Sequence, residues 1–193
     1  MSTSVPQPKV DGAQPAAPPA APKPAAAAPG KPAVPGGVQP PAPSQPTPAP
    51  APPPPNPLAH LPIPFKGVDY TAKGYHCEAT VSPDQVVSVA EMLDEEGLAL
   101  DTITGVDWLA QGQMEVVYDY FHPAKALRVV VRTRIPRDNP EVPSIHKVFP
   151  GANWHERETH DFFGIRFLGH PDLTPFLLPE DADYHPLRKD YAA

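Results

Sequence analysis

Apolar residues recur at helical spacing in the segment between residues 82 and 97. They stand three or four positions apart, at Val86, Val89, Ala90 and Leu93. Before them, Ser82-Pro83-Asp84-Gln85 has the order of a capping box with proline at the first helical position, and a glycine follows at position 97. This pattern predicts an amphipathic helix of about three and a half turns.

Apolar and polar residues alternate in the next part of the chain, which predicts strands. Residues 98–108 are rich in β-branched side chains and predict a strand with a break near Gly105. Two further runs, 114–121 and 126–135, are joined by residues 122–125, a length that suits a hairpin. The sequence therefore predicts a β-hairpin preceded by one strand.

The second strand of this hairpin has two faces of different character. One face carries Leu127, Val129, Val131, Thr133 and Ile135. The other face carries Arg128, Arg132 and Arg134. We expect the first face in the core. The arginine face fits solvated charge on an exposed antiparallel sheet, and a stripe that docks a partner is the alternative.

A second helix is predicted from Trp154 to Phe163, in the stretch WHERETHDFFG. Asn153 and Glu156 have the spacing of a capping box, and Gly164 follows as a stop. Upstream of this helix, three prolines between residues 136 and 143 break regular structure and predict an extended path.

The segment from 169 to 193 is a tail without periodicity that contains four prolines. It also contains Leu173, Phe176, Leu177, Leu178, Leu187 and Tyr191. Apolar residues in an irregular tail are typical of a segment that lies against another protein. Packing of the tail on its own domain is the alternative.

Composition divides the 193 residues into two unlike parts. Residues 1–57 contain 21 of the 33 prolines and no aromatic residue, so they cannot bury enough surface to offset the entropy of folding. We expect a disordered extension at 1–57, a domain at 58–168 and the tail at 169–193. The extension has a net charge of +2, which leaves about −9 for the rest of a chain whose total is −7. An acidic domain offers no platform for nucleic acid.

Neither a leader nor a membrane span is indicated by the sequence. The first residues lack a charged region followed by an apolar stretch, and no window of 18 residues is continuously apolar. Any contact with a membrane is therefore expected to go through a partner. Cys77 is the single cysteine, which excludes an internal disulfide and any cluster held by cysteines of this chain alone, and which suits a reducing compartment.

Catalytic motifs are not found in the sequence. It contains no glycine-rich phosphate loop and no nucleophile elbow. His155 and His160 stand five apart, which rotates them by about 140° around a helix, whereas the two histidines of a zinc protease stand four apart. A small metalloenzyme built on His155, Glu156 and His160 is therefore the weaker alternative.

Charged residues of the same helix stand four apart. Glu156 with His160, and Arg157 with Asp161, are pairs worth on the order of a few tenths of a kcal/mol if they are exposed. They fit a solvated helix surface and, equally, a partly buried interface.

Two separated motifs resemble the signature of the thirty-kilodalton subunit (the C subunit) of respiratory NADH:quinone oxidoreductase (Complex I). The first is PGANWHERETHDFFGIRFLGHPDL at 150–173, and the second is LLPEDADYHPLRKDY at 177–191. The family usually has two arginines where Thr174-Pro175 stands here. That departure fits the related subunits of membrane-bound nickel–iron hydrogenase or formate hydrogenlyase complexes.

The resemblance implies a small α+β domain with a mainly antiparallel sheet packed by helices. It implies a structural subunit that binds no cofactor and has no active site, in a complex that uses NADH, FMN, iron–sulfur clusters and quinone. The expected partners are the large quinone-site subunit and the small iron–sulfur subunit. The expected location is peripheral, on the cytoplasmic side of the bacterial inner membrane.

The resemblance also places the partner-binding residues in the two motifs. They are Glu156, Arg157, Glu158, Asp161, His170, Asp172, Arg188, Lys189 and Asp190. On this interpretation WHERETHDFFG is a docking helix, and the partners of Arg188 and Asp190 lie on another chain. No catalytic and no metal-binding residue is expected.

Overall fold

A computed structural model describes residues 56–192. The strands are β1 (Lys66–Gly67), β2 (Cys77–Val81), β3 (Ala99–Trp108), β4 (Gln113–His122), β5 (Leu127–Pro136), β6 (Glu141–Pro143) and β7 (Arg166–Leu168). The helices are α1 (Tyr70–Lys73), α2 (Val86–Glu95) and α3 (Ala152–Phe163). Within these described residues, no helix combines the length and the apolar character needed to cross a bilayer.

The main sheet has five strands in the order β1-β2-β5-β4-β3. Strand β2 lies parallel to β5, and the other neighbouring strands are antiparallel. The predicted hairpin is present as β4 and β5, which pair from Gln113 with Pro136 to His122 with Leu127. The expected α+β fold with a mainly antiparallel sheet is confirmed.

The core lies on one face of this sheet, where α2, the start of α3 and strands β6 and β7 contribute buried residues. The four apolar residues predicted for α2 are all buried, and so are the five inward residues of β5. The capping box of Ser82 and Gln85 is present, although it starts a 3₁₀ turn at Pro83–Gln85 that leads into α2. The spacing of the apolar residues and the capping box were enough to predict this helix, because its buried face is continuous.

The arginines of β5 lie on the opposite face of the sheet. Arg132 and Arg134 both approach the Glu115 carboxylate of β4, at 3.6 and 3.3 Å. Arg128 pairs with Asp101 of β3. These arginines are partly exposed and paired with acids of other strands in the same sheet, so the sheet itself accounts for their charge.

Strand β3 is unbroken at Gly105, which corrects the predicted break. The irregularity lies between Leu100 and Thr102 instead. Gly105 is present for a different reason: a Cβ atom at this position would lie 2.5 Å from the Phe163 ring of α3. The glycine therefore lets α3 lie close against the edge strand.

Helix α3 connects the parallel strands β6 and β7. It begins at Ala152 with Gly151 as its N-cap, so the predicted capping box of Asn153 and Glu156 is wrong. The Glu156 carboxylate accepts a hydrogen bond from the Ile145 N–H at 2.8 Å, and thus serves a neighbouring loop rather than its own helix end. The predicted end at Gly164, with φ 71°, is confirmed.

The body of the domain begins slightly before the predicted limit of residue 58. The Asn56 side chain donates to the Phe65 carbonyl at 2.6 Å and accepts from the Leu58 N–H at 3.0 Å. Leu58 is buried in the core. The rest of the predicted extension, residues 1–55, lies outside the described residues.

Candidate docking surface

Helix α3 holds the first part of the tail through two side chains on one face. The Asp161 carboxylate accepts hydrogen bonds from the N–H groups of residues 176, 177 and 178, at 2.8, 2.6 and 3.2 Å. The Arg157 guanidinium donates to the carbonyls of Thr174 and Pro175 at 3.2 and 3.3 Å. Thr174 and Pro175, the two residues that depart from the family pattern, therefore both contact Arg157.

The C-terminal end of α3 holds the second part of the tail. The last carbonyls of a helix lack partners within the helix. Here the His185 ring binds the carbonyl of residue 161 at 2.8 Å, and the Leu187 N–H donates to that of residue 162 at 3.1 Å. Arg188 Nε donates to the Phe163 carbonyl at 2.7 Å. The tail thus completes the hydrogen bonding of the helix end.

Asp107, in β3, holds the third part of the tail. Its carboxylate forms a bidentate pair with Arg137, at 2.9 and 3.1 Å, and accepts the Lys189 N–H at 2.8 Å. Arg137 also binds Asp190 at 2.5 Å. Burial alone would raise the pKa of Asp107, but the hydrogen bonds from Arg137 and Lys189 outweigh burial and lower it.

Arg188 and Asp190 therefore have partners inside this chain. This corrects the expectation that their partners lie on another chain. Residues 174–178 and 185–190 of the tail bind their own domain. Their further contribution to a partner surface stays a prediction. Lys189 is exposed and contributes its backbone N–H to Asp107, which leaves its charged side chain available.

Glu156 and His170 meet in a buried region on another side of α3. Glu156 is 0% exposed, and its Oε2 lies 3.9 Å from the His170 ring. Ser144 donates to the same carboxylate. Burial raises the pKa of Glu156 to about 7, although the hydrogen bonds from Ser144 and Ile145 act in the opposite direction.

The two charge pairs predicted along α3 are absent from the ion pairs within residues 56–192. Glu156 turns to Ser144 and Ile145, whereas His160 binds the Ile165 carbonyl at 2.9 Å. Arg157 and Asp161 both bind tail backbone. Backbone groups without other partners compete successfully for these side chains, because leaving such groups buried and unbonded is costly.

Glu158 and Asp172 occupy the periphery of these contacts. Glu158 is exposed and borders a cavity of about 140 Å³ between β3 and α3. Asp172 caps the turn that follows it by accepting the Thr174 N–H at 3.0 Å. The nine predicted residues thus take part in several separate contacts of α3 and the tail.

Several exposed apolar residues lie on the tail and on the first turn of α3, and we call them the tail surface. They are Trp154, Phe176, Leu177, Tyr184, Leu187 and Tyr191. The rings of Trp154 and Phe176 lie 5.0 Å apart, and the Arg157 guanidinium lies over both rings, at 5.6 and 5.1 Å. Tryptophan and arginine together are typical of the centre of a protein–protein interface.

Sequence reasoning missed the roles of Asp107, Arg137, Ser144 and His185. For Asp107 a signal existed: alternation along β3 places it on the side of the buried Ile103 and Gly105, where an acid needs a partner. The partners themselves lie 30 and 82 positions away. No local pattern could have identified them.

The alternative metal ligands do not converge. Glu156 is buried against the loop of Ser144, and His160 binds a carbonyl at the opposite end of α3. Within residues 56–192, no three His, Cys, Asp or Glu side chains are grouped as metal ligands.

Comparison with known proteins identifies the family. The family model described as the respiratory-chain NADH dehydrogenase 30 kDa subunit matches residues 79–193. The C subunit of NADH-quinone oxidoreductase from Roseiflexus castenholzii is 45% identical over 115 residues, which cover 57% of this chain and 66% of that protein. The C subunit of F420H2 dehydrogenase from Methanosarcina mazei is 40% identical over 120 residues, which cover 58% of this chain and 73% of that protein.

A solved structure supports the same relationship. One chain of the membrane-bound sulfane sulfur reductase, an archaeal respiratory membrane complex, has a TM-score of 0.61 and 28% identity, over 70% of this chain and 81% of that chain. The match to the Roseiflexus protein spans just under two thirds of that relative's length. Because the family model matches more than half of the sequence, the chain belongs to the family of the respiratory-chain NADH dehydrogenase 30 kDa subunit.

Proposed function

We propose that this protein is a structural subunit in the peripheral arm of a proton-translocating NADH:quinone oxidoreductase. It docks on the large quinone-site subunit, next to the small iron–sulfur subunit, at the cytoplasmic side of the bacterial inner membrane. The observation that carries the proposal is the match of residues 79–193 to the 30 kDa subunit family. The tail surface supports it, because exposed aromatic and aliphatic residues around a fixed arginine suit a protein partner.

The proposal assigns NADH, FMN, iron–sulfur clusters and quinone to other subunits. An iron–sulfur cluster is usually held by four cysteine thiolates. This chain has a single cysteine, Cys77, which is buried in β2. Its residues therefore do not fit a cluster, and its role in electron transfer is to hold neighbouring subunits in position.

The relatives favour an NADH- or F420H2-oxidising complex over a hydrogenase or formate hydrogenlyase. Two of them are the C subunits of an NADH-quinone oxidoreductase and of an F420H2 dehydrogenase. The Thr174-Pro175 departure that suggested the hydrogenase alternative has a local role, because both carbonyls bind Arg157. NADH is the donor we propose, since the matched family is that of the NADH dehydrogenase.

Affinity purification from native membranes tests the proposal. The full chain, tagged at its N-terminus, should co-purify in mild detergent with flavin-, cluster- and quinone-site subunits, and the material should reduce quinone with NADH. Recovery of the tagged chain alone would contradict the proposal. Recovery with a nickel-containing subunit would assign it to a hydrogenase complex instead.

Leucine variants test the tail surface itself. Leu177 and Leu187 are 53% and 52% exposed, and Leu109, in the turn between β3 and β4, is 43% exposed. Leu177→Asp and Leu187→Asp should each reduce co-purification of the other subunits at least about tenfold, the size of effect expected when a central contact is lost. Leu109→Asp is the matched control and should have no effect. Equal effects of all three variants would show that the tail surface is not the docking site.

A further inference from the structure

The buried carboxyl of Glu156 plays no part in the tail surface. It lies behind α3, where the loop after β6 and the start of the tail cover it. Its hydrogen-bond donors are the Ile145 N–H and the Ser144 hydroxyl. Within residues 56–192, His170 is the sole basic side chain within 4.0 Å of the carboxylate. A charged carboxylate without a cation is costly in such a place.

Hydrogen bonding shows that His170 does not supply this cation. The Asp172 N–H donates to His170 Nδ1 at 3.1 Å, so Nδ1 carries a lone pair and no proton. The other nitrogen, Nε2, then carries the hydrogen and donates to the Asn153 carbonyl at 3.2 Å. In this arrangement the ring is neutral. Burial, first of all, lowers the pKa of His170, which agrees with the neutral form.

The remaining titratable neighbours supply no positive charge either. Tyr118 and Tyr120 of β4 are buried, and the charge of Glu156 adds to burial in raising the pKa of both phenols. The charge of Arg157 lowers the pKa of His170, and the charge of Asp172 raises it. None of these groups places a positive charge beside the Glu156 carboxylate, so the neutral acid is the favoured form.

A hydrogen-bonded path connects this carboxyl with a less buried imidazole. The Ser144 hydroxyl binds Glu156 on one side and His146 Nδ1, at 2.9 Å, on the other. His146 is half-buried. When Glu156 is protonated, its O–H can donate to the Ser144 oxygen, and the Ser144 hydroxyl is then free to donate to Nδ1. In that arrangement the hydroxyl can receive the Glu156 proton while its own proton passes to Nδ1.

We propose that the Glu156 carboxyl is a buried proton-binding site whose proton exchanges with solvent through the Ser144 hydroxyl and the His146 imidazole. In the transfer the Glu156 O–H bond breaks, and the proton forms a new O–H bond with Ser144 Oγ. The original Ser144 O–H breaks, and His146 becomes an imidazolium that releases the proton to water. This site is independent of the proposed docking function.

Titration of Glu156 in the full-length chain tests the proposal. In carbon-13 spectra of glutamate-labelled protein, the Glu156 carboxyl signal is identified by its loss in Glu156→Gln. We expect its midpoint near pH 7, against the usual 4.5. Glu158→Gln, an exposed change on the same helix, must leave the signal in place. A Glu156 midpoint near 4.5 would overturn the proposal.

A second variant tests the path through the hydroxyl. Ser144→Ala removes a hydrogen bond that lowers the pKa of Glu156, so the midpoint should move above that of the wild type. The proton should also exchange more slowly, which line-shape measurements at the midpoint would show for Ser144→Ala and for His146→Phe. Unchanged exchange in both variants would refute the path.

Discussion

Asp107, Glu156 and Asp161 are buried acids that each accept a hydrogen bond from backbone N–H groups of a distant segment. A buried carboxylate is costly unless it is well bonded, and a buried N–H without an acceptor is costly as well. Each of these contacts therefore stabilises a buried carboxylate and also gives a buried N–H group its acceptor. At the scale of the residue, Asp107 and Asp161 fix the irregular tail to the domain in this way, and Glu156 fixes the loop at Ile145.

Asp107→Asn should destabilise the isolated chain by about 3 kcal/mol at pH 7, because the half-buried Arg137 loses one of its two anionic partners and keeps only the exposed Asp190. The pKa of Asp107 is lower in the folded protein than usual, so its stabilisation is present above about pH 4 and is lost as the pH falls through the folded value. Urea unfolding of both proteins at pH 7 and pH 3 measures this. The difference between them should shrink at pH 3, and a constant difference would contradict the assigned role.

Gly105→Ala should destabilise the protein by about 1–3 kcal/mol, because the new methyl group would overlap the Phe163 ring. Phe163→Leu in the same chain should restore part of this loss by making room. Gly151→Ala is the control, since nothing lies within 4 Å of its Cβ position and its φ is −63°. Thermal unfolding of the four proteins would show whether the contact sets the packing of α3.

At the scale of the element, the sequence predicts α2 and the β4–β5 hairpin because their hydrophobic periods are local and unbroken. It places the start of α3 wrongly because the Glu156 side chain bonds to the loop at Ile145, eleven positions away, instead of its own helix end. Gly105 is misread for a similar reason, since its partner Phe163 comes from another element. Local pattern determines elements here, and distant contacts determine their ends.

The candidate site is less predictable than the elements. The motif residues are indeed clustered around α3 and the tail, but their partners are backbone groups of other segments, as with Asp161 and residues 176–178. A pattern of charges at four-residue spacing carries no information about such partners. That is why the predicted pair of Arg157 with Asp161 is replaced by two separate contacts to the tail.

Asp161→Ala should release the tail without unfolding the domain. Three N–H groups lose their acceptor, and each hydrogen bond to a charged group is worth about 1.5–3 kcal/mol. Hydrogen exchange at residues 174–178 should therefore accelerate at least about tenfold while the strands of the hairpin keep their protection. Glu158→Ala, an exposed change on the same helix, should alter neither. Faster exchange throughout the chain would show that the tail is part of the core.

At the scale of the whole molecule, the tail is attached to the domain before any partner binds. Its contacts with Arg157, Asp161, the end of α3 and Asp107 hold residues 174–178 and 185–190 against the domain. A surface that is already ordered loses less entropy on binding, which favours tight association. In the proposed complex, the domain therefore presents to the neighbouring subunit a tail surface that is already ordered.

Two N-terminal deletions test where the folded unit begins. Deletion of residues 1–55 should leave the thermal stability of the chain unchanged, because it retains Asn56 and the buried core that the structure describes, from Leu58 to Phe167. Deletion of residues 1–60 removes Leu58 and the hydrogen bonds of Asn56, and should cost about 2–5 kcal/mol, as for a large core side chain that is lost. Calorimetry of the two shortened chains beside the full chain measures both values. Equal stability of all three would mean that the core begins later, at Phe65, and that Leu58 contributes little to it.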